Sequence, residues 1–77
     1  MRESLAAQVH IMWAGWMQYL FSKSVINKDG TATIPEWAVT RWTRQVNTDY
    51  DTLSEEEKDN DRKEADDIID VLQSLRK

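Results

Sequence analysis

The sequence contains no cysteine, one proline, two glycines and one histidine among its 77 residues. Without cysteine the chain cannot form a disulfide framework or a thiolate metal site, and this absence fits a reducing cytoplasm. His10 has no second histidine with which to build a metal cluster or a proton relay. We therefore expect neither a metal nor a cofactor.

Long apolar runs are also missing from the sequence. The N-terminal segment MRESLAAQVH lacks the apolar stretch of a secretory signal. The apolar run around residues 11–21 is interrupted by Gln18, and it is too short and too polar to cross a bilayer. We expect a soluble cytoplasmic protein without a membrane partner, located in the host cytoplasm if a phage encodes it.

An excess of positive charge is absent as well. Fourteen acidic residues outnumber ten basic ones, which gives a net charge of −4. Duplex nucleic acid is therefore not an expected partner, because non-specific affinity for it comes from neutralising phosphates. Most of the acids lie from Asp49 onward, whereas residues 35–48 carry Arg41 and Arg44 against Glu36 alone. A local basic site is compatible with this distribution.

Length and periodicity predict one mainly α domain, residues 1–77, with three helices. The first helix is predicted over about residues 4–22. Its apolar stripe has helical spacing: Leu5, Val9, Trp13, Trp16 and Leu20. Because apolar residues extend well beyond this stripe, the helix must be covered on several sides or must meet a ligand or a second copy.

The connector over residues 23–34 is predicted to hold a minor β-hairpin. Asn27, Asp29 and Gly30 favour a turn, and the segment TATI after them favours an extended strand. A calcium loop is the alternative interpretation of this segment. It fails because placing Gly30 at the sixth loop position puts Val25 at the first, where a carboxylate is needed.

The second helix is predicted over residues 34–47. Thr33 and Glu36 have the spacing of a capping box, and Pro35 suits the first turn. The predicted inward stripe is Val39, Trp42 and Val46.

The third helix is predicted over residues 54–75, and Ser54 and Glu57 form a second capping box at its start. The predicted apolar stripe comprises Ala65, Ile68 or Ile69, Leu72 and Leu75.

Continued backward, the stripe of the third helix passes through Arg62 and Lys58. Both cations are therefore expected to face the body of the protein, with Glu55 and Asp59 on a different face. Either their long stems cover tryptophan rings while their charges reach water, or their charged groups hold an anion at the edge of an aromatic pocket.

Tryptophans beside basic residues suit a site that stacks a planar base and pairs its phosphate. A tryptophan core with basic side chains at its rim explains the same composition, and the sequence leaves both interpretations open. No nucleophile–base pair or phosphate loop is present, so we expect no catalytic residues and no enzyme. The candidate ligand-binding residues are His10, Trp13, Trp16, Arg41, Trp42, Arg44, Tyr50, Lys58 and Arg62.

Two segments resemble the RyR domain, the repeated module of ryanodine receptors, which also occurs alone in bacterial and phage proteins. LAAQVHIMW, residues 5–13, is similar to the opening helix of that family with its H-x-x-W motif. YDTLSEEEKDNDR, residues 50–62, is similar to its closing motif. The middle of the chain lacks the G-W-x-Y-G segment of the receptor modules and looks more like compact phage-type members. The matched motif positions are His10, Trp13, Tyr50, Lys58 and Arg62.

The resemblance implies a small helical fold with a minor hairpin and no catalytic activity. Receptor modules of this family hold adenine nucleotides between aromatic side chains, and stand-alone versions have been proposed as nucleotide sensors in bacterial conflict systems. The resemblance therefore predicts a module that binds a small anionic ligand such as an adenine nucleotide or a nucleotide-derived messenger. A phage accessory or anti-defence role would follow from the same resemblance.

A protein–protein interaction module is the alternative prediction. The broad apolar surface of the first helix would then meet a partner protein or a second copy of the chain, which would make a homo-oligomer.

Overall fold

The computed structural model describes residues 1–76. It confirms the predicted fold class, a mainly α protein of three helices with a small antiparallel hairpin. The helices are α1 (Arg2–Lys23), α2 (Glu36–Val46) and α3 (Glu55–Ser74). The strands β1 (Val25–Ile26) and β2 (Ala32–Thr33) form the hairpin, and a single 3-10 turn covers Tyr50–Thr52.

The chain divides into two compact units. The central unit is Gly15–Leu53, which contains the last part of α1, the hairpin, α2 and the 3-10 turn. The terminal unit combines Met1–Ala14 with the chain from Ser54 onward, and so contains the first part of α1 and all of α3. The prediction that residues 1–77 form one domain stays a prediction.

The hairpin is held by short polar side chains in its turn. The Asn27 amide donates to the hydroxyls of Thr31 and Thr33, each at 3.0 Å. Gly30 adopts a φ of 89°, a conformation that a residue with a Cβ rarely takes. Its backbone N–H donates to the carbonyl of Asn27 at 3.0 Å, which closes the turn.

The predicted capping box at Thr33 is wrong. Thr33 belongs to β2, where it pairs with Val25, and its hydroxyl accepts from Asn27 instead of capping a helix. Helix α2 therefore begins at Glu36, after Pro35, whose carbonyl accepts the N–H groups of the first turn. The proline supports this start because it restricts the residue before it to an extended conformation.

The capping box at the start of α3 is confirmed. The Ser54 hydroxyl accepts the backbone N–H of Glu57 at 3.2 Å, and the Glu57 carboxylate accepts the N–H of Ser54 at 3.3 Å. In the part of the chain that the structure describes, Glu57 is also the charged residue that is buried. The two hydrogen bonds of the capping box are consistent with this burial.

The predicted inward stripes are only partly correct. In α2, Ala38 is buried and Trp42 and Gln45 are half-buried, whereas Val46 is 84% exposed. This face is turned by one residue from the predicted one and shares only Trp42 with it. The buried position is taken by Ala38, the smallest side chain of α2, whereas sequence periodicity favours the larger valines.

Helix α1 departs from its predicted stripe in the same way. Leu5 and Leu20 are half-buried, but Val9, Trp13 and Trp16 are exposed. An all-round apolar helix has no unique amphipathic direction, so spacing alone could not select its inner face.

In α3, Ile68 and Leu72 are half-buried as predicted, whereas Ala65, Ile69 and Leu75 are exposed. The less exposed side also includes the buried Glu57 and the half-buried Glu64, which an apolar pattern cannot detect because both are polar.

Within residues 1–76, no helix combines enough length with enough apolar character to cross a membrane.

Candidate functional site

The central unit contains a continuous set of aromatic side chains, which we term the aromatic cluster: Trp16, Tyr19, Trp37 and Trp42. Tyr19 touches Trp16 edge-on with ring centroids 6.2 Å apart, and it touches Trp42 at 6.1 Å. Trp42 in turn meets Trp37 edge-on at 6.2 Å. These geometries are favourable for aromatic pairs, so each ring limits the orientation of its neighbour.

An open hollow of about 250 Å³ lies against this cluster. Trp16, Tyr19 and Trp42 supply its aromatic walls. The remaining lining residues are Met17, Leu20, Gln45 and Val46. Trp16 and Trp37 are 48% and 49% exposed, so roughly half of each indole is available to another molecule.

Positive charge lies beside the aromatic cluster on α1. The Lys23 ammonium group is 5.5 Å from the centroid of the Tyr19 ring, within the range of a cation–π interaction. The i, i+4 spacing of Tyr19 and Lys23 on α1 brings them together. On α2, Arg41 and Arg44 are both exposed.

The terminal unit holds a second aromatic pair. His10 and Trp13 stack with ring centroids 5.9 Å apart and an interplanar angle of 24°. Trp13 is 58% exposed although it belongs to the predicted apolar stripe of α1, so it is accessible as a candidate site residue.

The predicted separation of the α3 cations from the acids Glu55 and Asp59 is wrong. Arg62 donates to Glu55 at 2.9 Å and to Asp59 at 2.7 Å, and the Lys58 ammonium lies 3.8 Å from Glu55. Spacings of three and seven residues place these groups on neighbouring turns of one side, within reach of long side chains. The Lys58 side chain is only 16% exposed, as expected for an inward-facing cation, whereas that of Arg62 is 46% exposed.

The nine predicted ligand residues divide between the two units. Trp16 and Trp42 come together at the hollow of the central unit. Arg41, Arg44 and the half-exposed Tyr50 belong to the same unit. The other four belong to the terminal unit: His10, Trp13, Lys58 and Arg62. The convergence of all nine around one ligand stays a prediction.

Sequence reasoning omitted three contributors to the site: Tyr19, Lys23 and Trp37. The signal was present, since Tyr19 follows Trp16 by three residues and precedes Lys23 by four, which puts all three on adjacent turns. Trp37 could not be placed without knowing that the inner face of α2 centres on Ala38 and Trp42.

The acidic turn of the hairpin is occupied by its own hydrogen bonds. The Asp29 carboxylate accepts from the Thr31 hydroxyl at 2.6 Å and from the Thr31 backbone N–H at 3.0 Å. These bonds, that of the hydroxyl first, lower the pKa of Asp29 below its ordinary value. In the part of the chain that the structure describes, no group of three or more histidine or acidic side chains is arranged to hold a metal ion.

Comparisons of this chain with protein-family models, with curated protein sequences and with solved structures found no match.

Proposed function

We propose that this protein is a non-enzymatic binding module for a small planar anion, with the hollow of the central unit as the binding site. The proposed ligand class is an adenine nucleotide, either free or as part of a nucleotide-derived messenger. The RyR-like motifs support the same ligand class, and we propose that the chain is a compact member of that family. The cytoplasm is the proposed compartment, that of the host if a phage encodes the chain, where it would sequester or sense a nucleotide signal.

The observation that carries this proposal is the exposed aromatic wall of the hollow. Indole faces stack on nucleobases with an energy of about 1–3 kcal/mol per base, and this stacking needs no prior hydrogen-bond pattern. Trp16 and Trp42 supply indole rings and Tyr19 supplies a phenol ring around one hollow. The contacts of Tyr19 with both tryptophans restrict the rotation of these rings. A site whose rings are already ordered loses less entropy when a flat ligand binds.

The phosphate end of the ligand is assigned first to Lys23. Its ammonium group lies over Tyr19, which lines the hollow, so a phosphate that extends past the Tyr19 ring would meet it. Arg41 and Arg44 are further candidates within the same unit. Lys58 and Arg62 belong to the terminal unit, and Glu55 and Asp59 already offset their charge, so the proposed phosphate site does not depend on them.

Titration calorimetry and tryptophan fluorescence with ATP, ADP, AMP and adenosine test this proposal. We expect saturable quenching by the nucleotides. Replacing Trp16 with alanine should weaken both ATP and adenosine binding about tenfold, because the stacking surface is lost. Lys23→Gln should weaken ATP binding about two- to fivefold and leave adenosine binding unchanged, because only the phosphate interaction is lost.

Lys28→Gln is the matched control, since it removes an equal charge from the hairpin of the same unit. Its nucleotide affinity should equal that of the unmodified chain. The absence of quenching and of heat with every nucleotide at millimolar concentration would refute the proposal. Equal losses from Lys23→Gln and Lys28→Gln would refute the assignment of the phosphate end.

Self-association is a second candidate function, and the exposure of α1 favours it. Val9 and Trp13 lie one turn apart and are 57% and 58% exposed. Their exposure leaves an apolar strip on a helix for which the sequence predicts either cover on several sides or contact with a ligand or a second copy. Contiguous apolar surface of this kind is common at protein–protein contacts.

A further inference from the structure

The terminal unit contains a groove between the first half of α1 and the last half of α3. It begins as a hollow of about 350 Å³ whose lining residues are Gln8, Ile11, Asp67, Asp70, Val71 and Ser74. A second hollow of about 370 Å³ shares four of these residues and extends to Leu75. The two hollows therefore form one groove, and it shares no residue with the hollow of the central unit.

The apolar part of the groove has the spacing that receives a helix. Ile11 from α1 and Val71 and Leu75 from α3 provide its apolar side chains. Val71 and Leu75 lie one turn apart, and Ile11 is 62% exposed across from them in the lining. An amphipathic helix binds such a groove by inserting apolar residues at spacings of three and four.

The polar part of the groove is acidic. Asp67 and Asp70 line it, and within residues 1–76 no basic side chain lies within ion-pair distance of either carboxylate. From Glu64 to Leu75 the chain has four acidic residues and no lysine or arginine. The last turn of α3 also contains no basic residue, so the negative end of the helix dipole adds to this potential.

We propose that this groove binds a basic amphipathic helix of another protein. Leucine-like side chains would contact Ile11, Val71 and Leu75, and lysine or arginine side chains would reach Asp67 and Asp70. The charge argues against a second copy presenting the same face, because α3 carries nine acidic and three basic residues and two such helices would repel. This interaction is independent of ligand binding at the aromatic cluster.

A pair of designed helical peptides tests the groove. One is a labelled 14-residue peptide of leucine and lysine with leucines at helical spacing, and the other replaces each lysine with glutamate. Fluorescence anisotropy with the full chain should show that the lysine peptide binds, that the glutamate peptide does not, and that added salt weakens binding.

Two pairs of variants separate the groove from general attraction. The double variant Asp67→Asn, Asp70→Asn should bind the lysine peptide about fivefold more weakly, because two exposed charge pairs are lost. Its control is Asp61→Asn, Asp66→Asn, which removes the same charge from exposed positions outside the groove and should change affinity less than about twofold.

Ile11→Ser should weaken binding about tenfold through lost apolar contact. Ile69→Ser is its control, since Ile69 is also exposed and does not line the groove, and it should leave affinity unchanged. Circular dichroism of each variant verifies that the helices are intact.

Three results would overturn the proposal. The first is that neither peptide binds. The second is that the groove variants and their controls weaken binding equally, which indicates non-specific attraction to an acidic helix. The third is a chain that dimerises in sedimentation experiments and does so more tightly as Asp67→Asn, Asp70→Asn than as Asp61→Asn, Asp66→Asn, because a second copy would then be the occupant of the groove.

Discussion

Asp29 shows at the residue scale how local hydrogen bonds set a charge. Its carboxylate accepts two hydrogen bonds from Thr31, and both stabilise the ionised form. Because the pKa of Asp29 is lowered in the folded chain, its contribution to stability is present above the unfolded pKa of about 3.9. That contribution is lost as the pH falls through the lower folded pKa.

We predict that NMR titration of the Asp29 side chain gives a midpoint below that of an ordinary aspartate. Thr31→Val keeps the shape of the side chain but removes the hydroxyl, which is the larger cause of the shift, so the pKa of Asp29 should rise. Thr40→Val, an equivalent change at an exposed position of α2, should leave the midpoint in place. An unchanged midpoint in Thr31→Val would show that the hydroxyl bond does not set this pKa.

Part of the candidate site was accessible from residue types alone. Trp16 and Trp42 were predicted as ligand residues, and both line the hollow of the central unit. Tyr19 and Lys23 were missed although their spacing from Trp16 was visible in the sequence, because that spacing indicates a site only once the neighbouring rings are placed. Composition identifies which residues can stack a base, but only packing identifies which of them keep an accessible face.

At the scale of elements, two sequence patterns of the capping-box type had different outcomes. Ser54 and Glu57 cap α3, whereas Thr33 and Glu36 do not cap α2. The difference lies in the preceding chain: Thr33 is paired with Val25 across the hairpin, and its hydroxyl is bonded to Asn27. A capping box is a local sequence pattern. It therefore cannot show that Thr33 pairs with a strand residue eight positions earlier, although that pairing prevents Thr33 from capping the helix.

We predict that Ser54→Ala lowers the free energy of unfolding by about 1 kcal/mol, because the N–H of Glu57 loses its acceptor at the start of α3. For a domain of this size the melting temperature should fall by about 4–8 °C. Thermal denaturation followed by circular dichroism measures this change.

The matched control for this prediction is Ser22→Ala. Its hydroxyl donates to the Tyr19 carbonyl within α1, a bond that competes with the helix rather than completing it. The melting temperature of Ser22→Ala should change little. Equal losses in the two variants would mean that the capping box does not stabilise α3 specifically.

For the molecule as a whole, apolar content and burial are out of balance. Hydrophobic residues make up 40% of the sequence, yet Ala38 is the buried hydrophobic residue of the described chain, and no large side chain there is fully buried. A chain of this length buries only about 60% of its unfolded surface, so a thin core was expected from length. Which apolar residues stay exposed was not predictable, because the apolar pattern of α1 extends around the helix.

This imbalance leads to the last prediction, that the chain associates with itself through the exposed apolar strip of α1. Sedimentation velocity over a range of protein concentrations should show a mass that rises with concentration. Val9→Glu should weaken dimerisation at least about tenfold, or about 1.4 kcal/mol, because a carboxylate would lose water at the contact. Val39→Glu is the matched control, since Val39 on α2 is similarly exposed at 48%. Its dimerisation constant should equal that of the unmodified chain, and a mass that stays monomeric at every concentration would contradict self-association through α1.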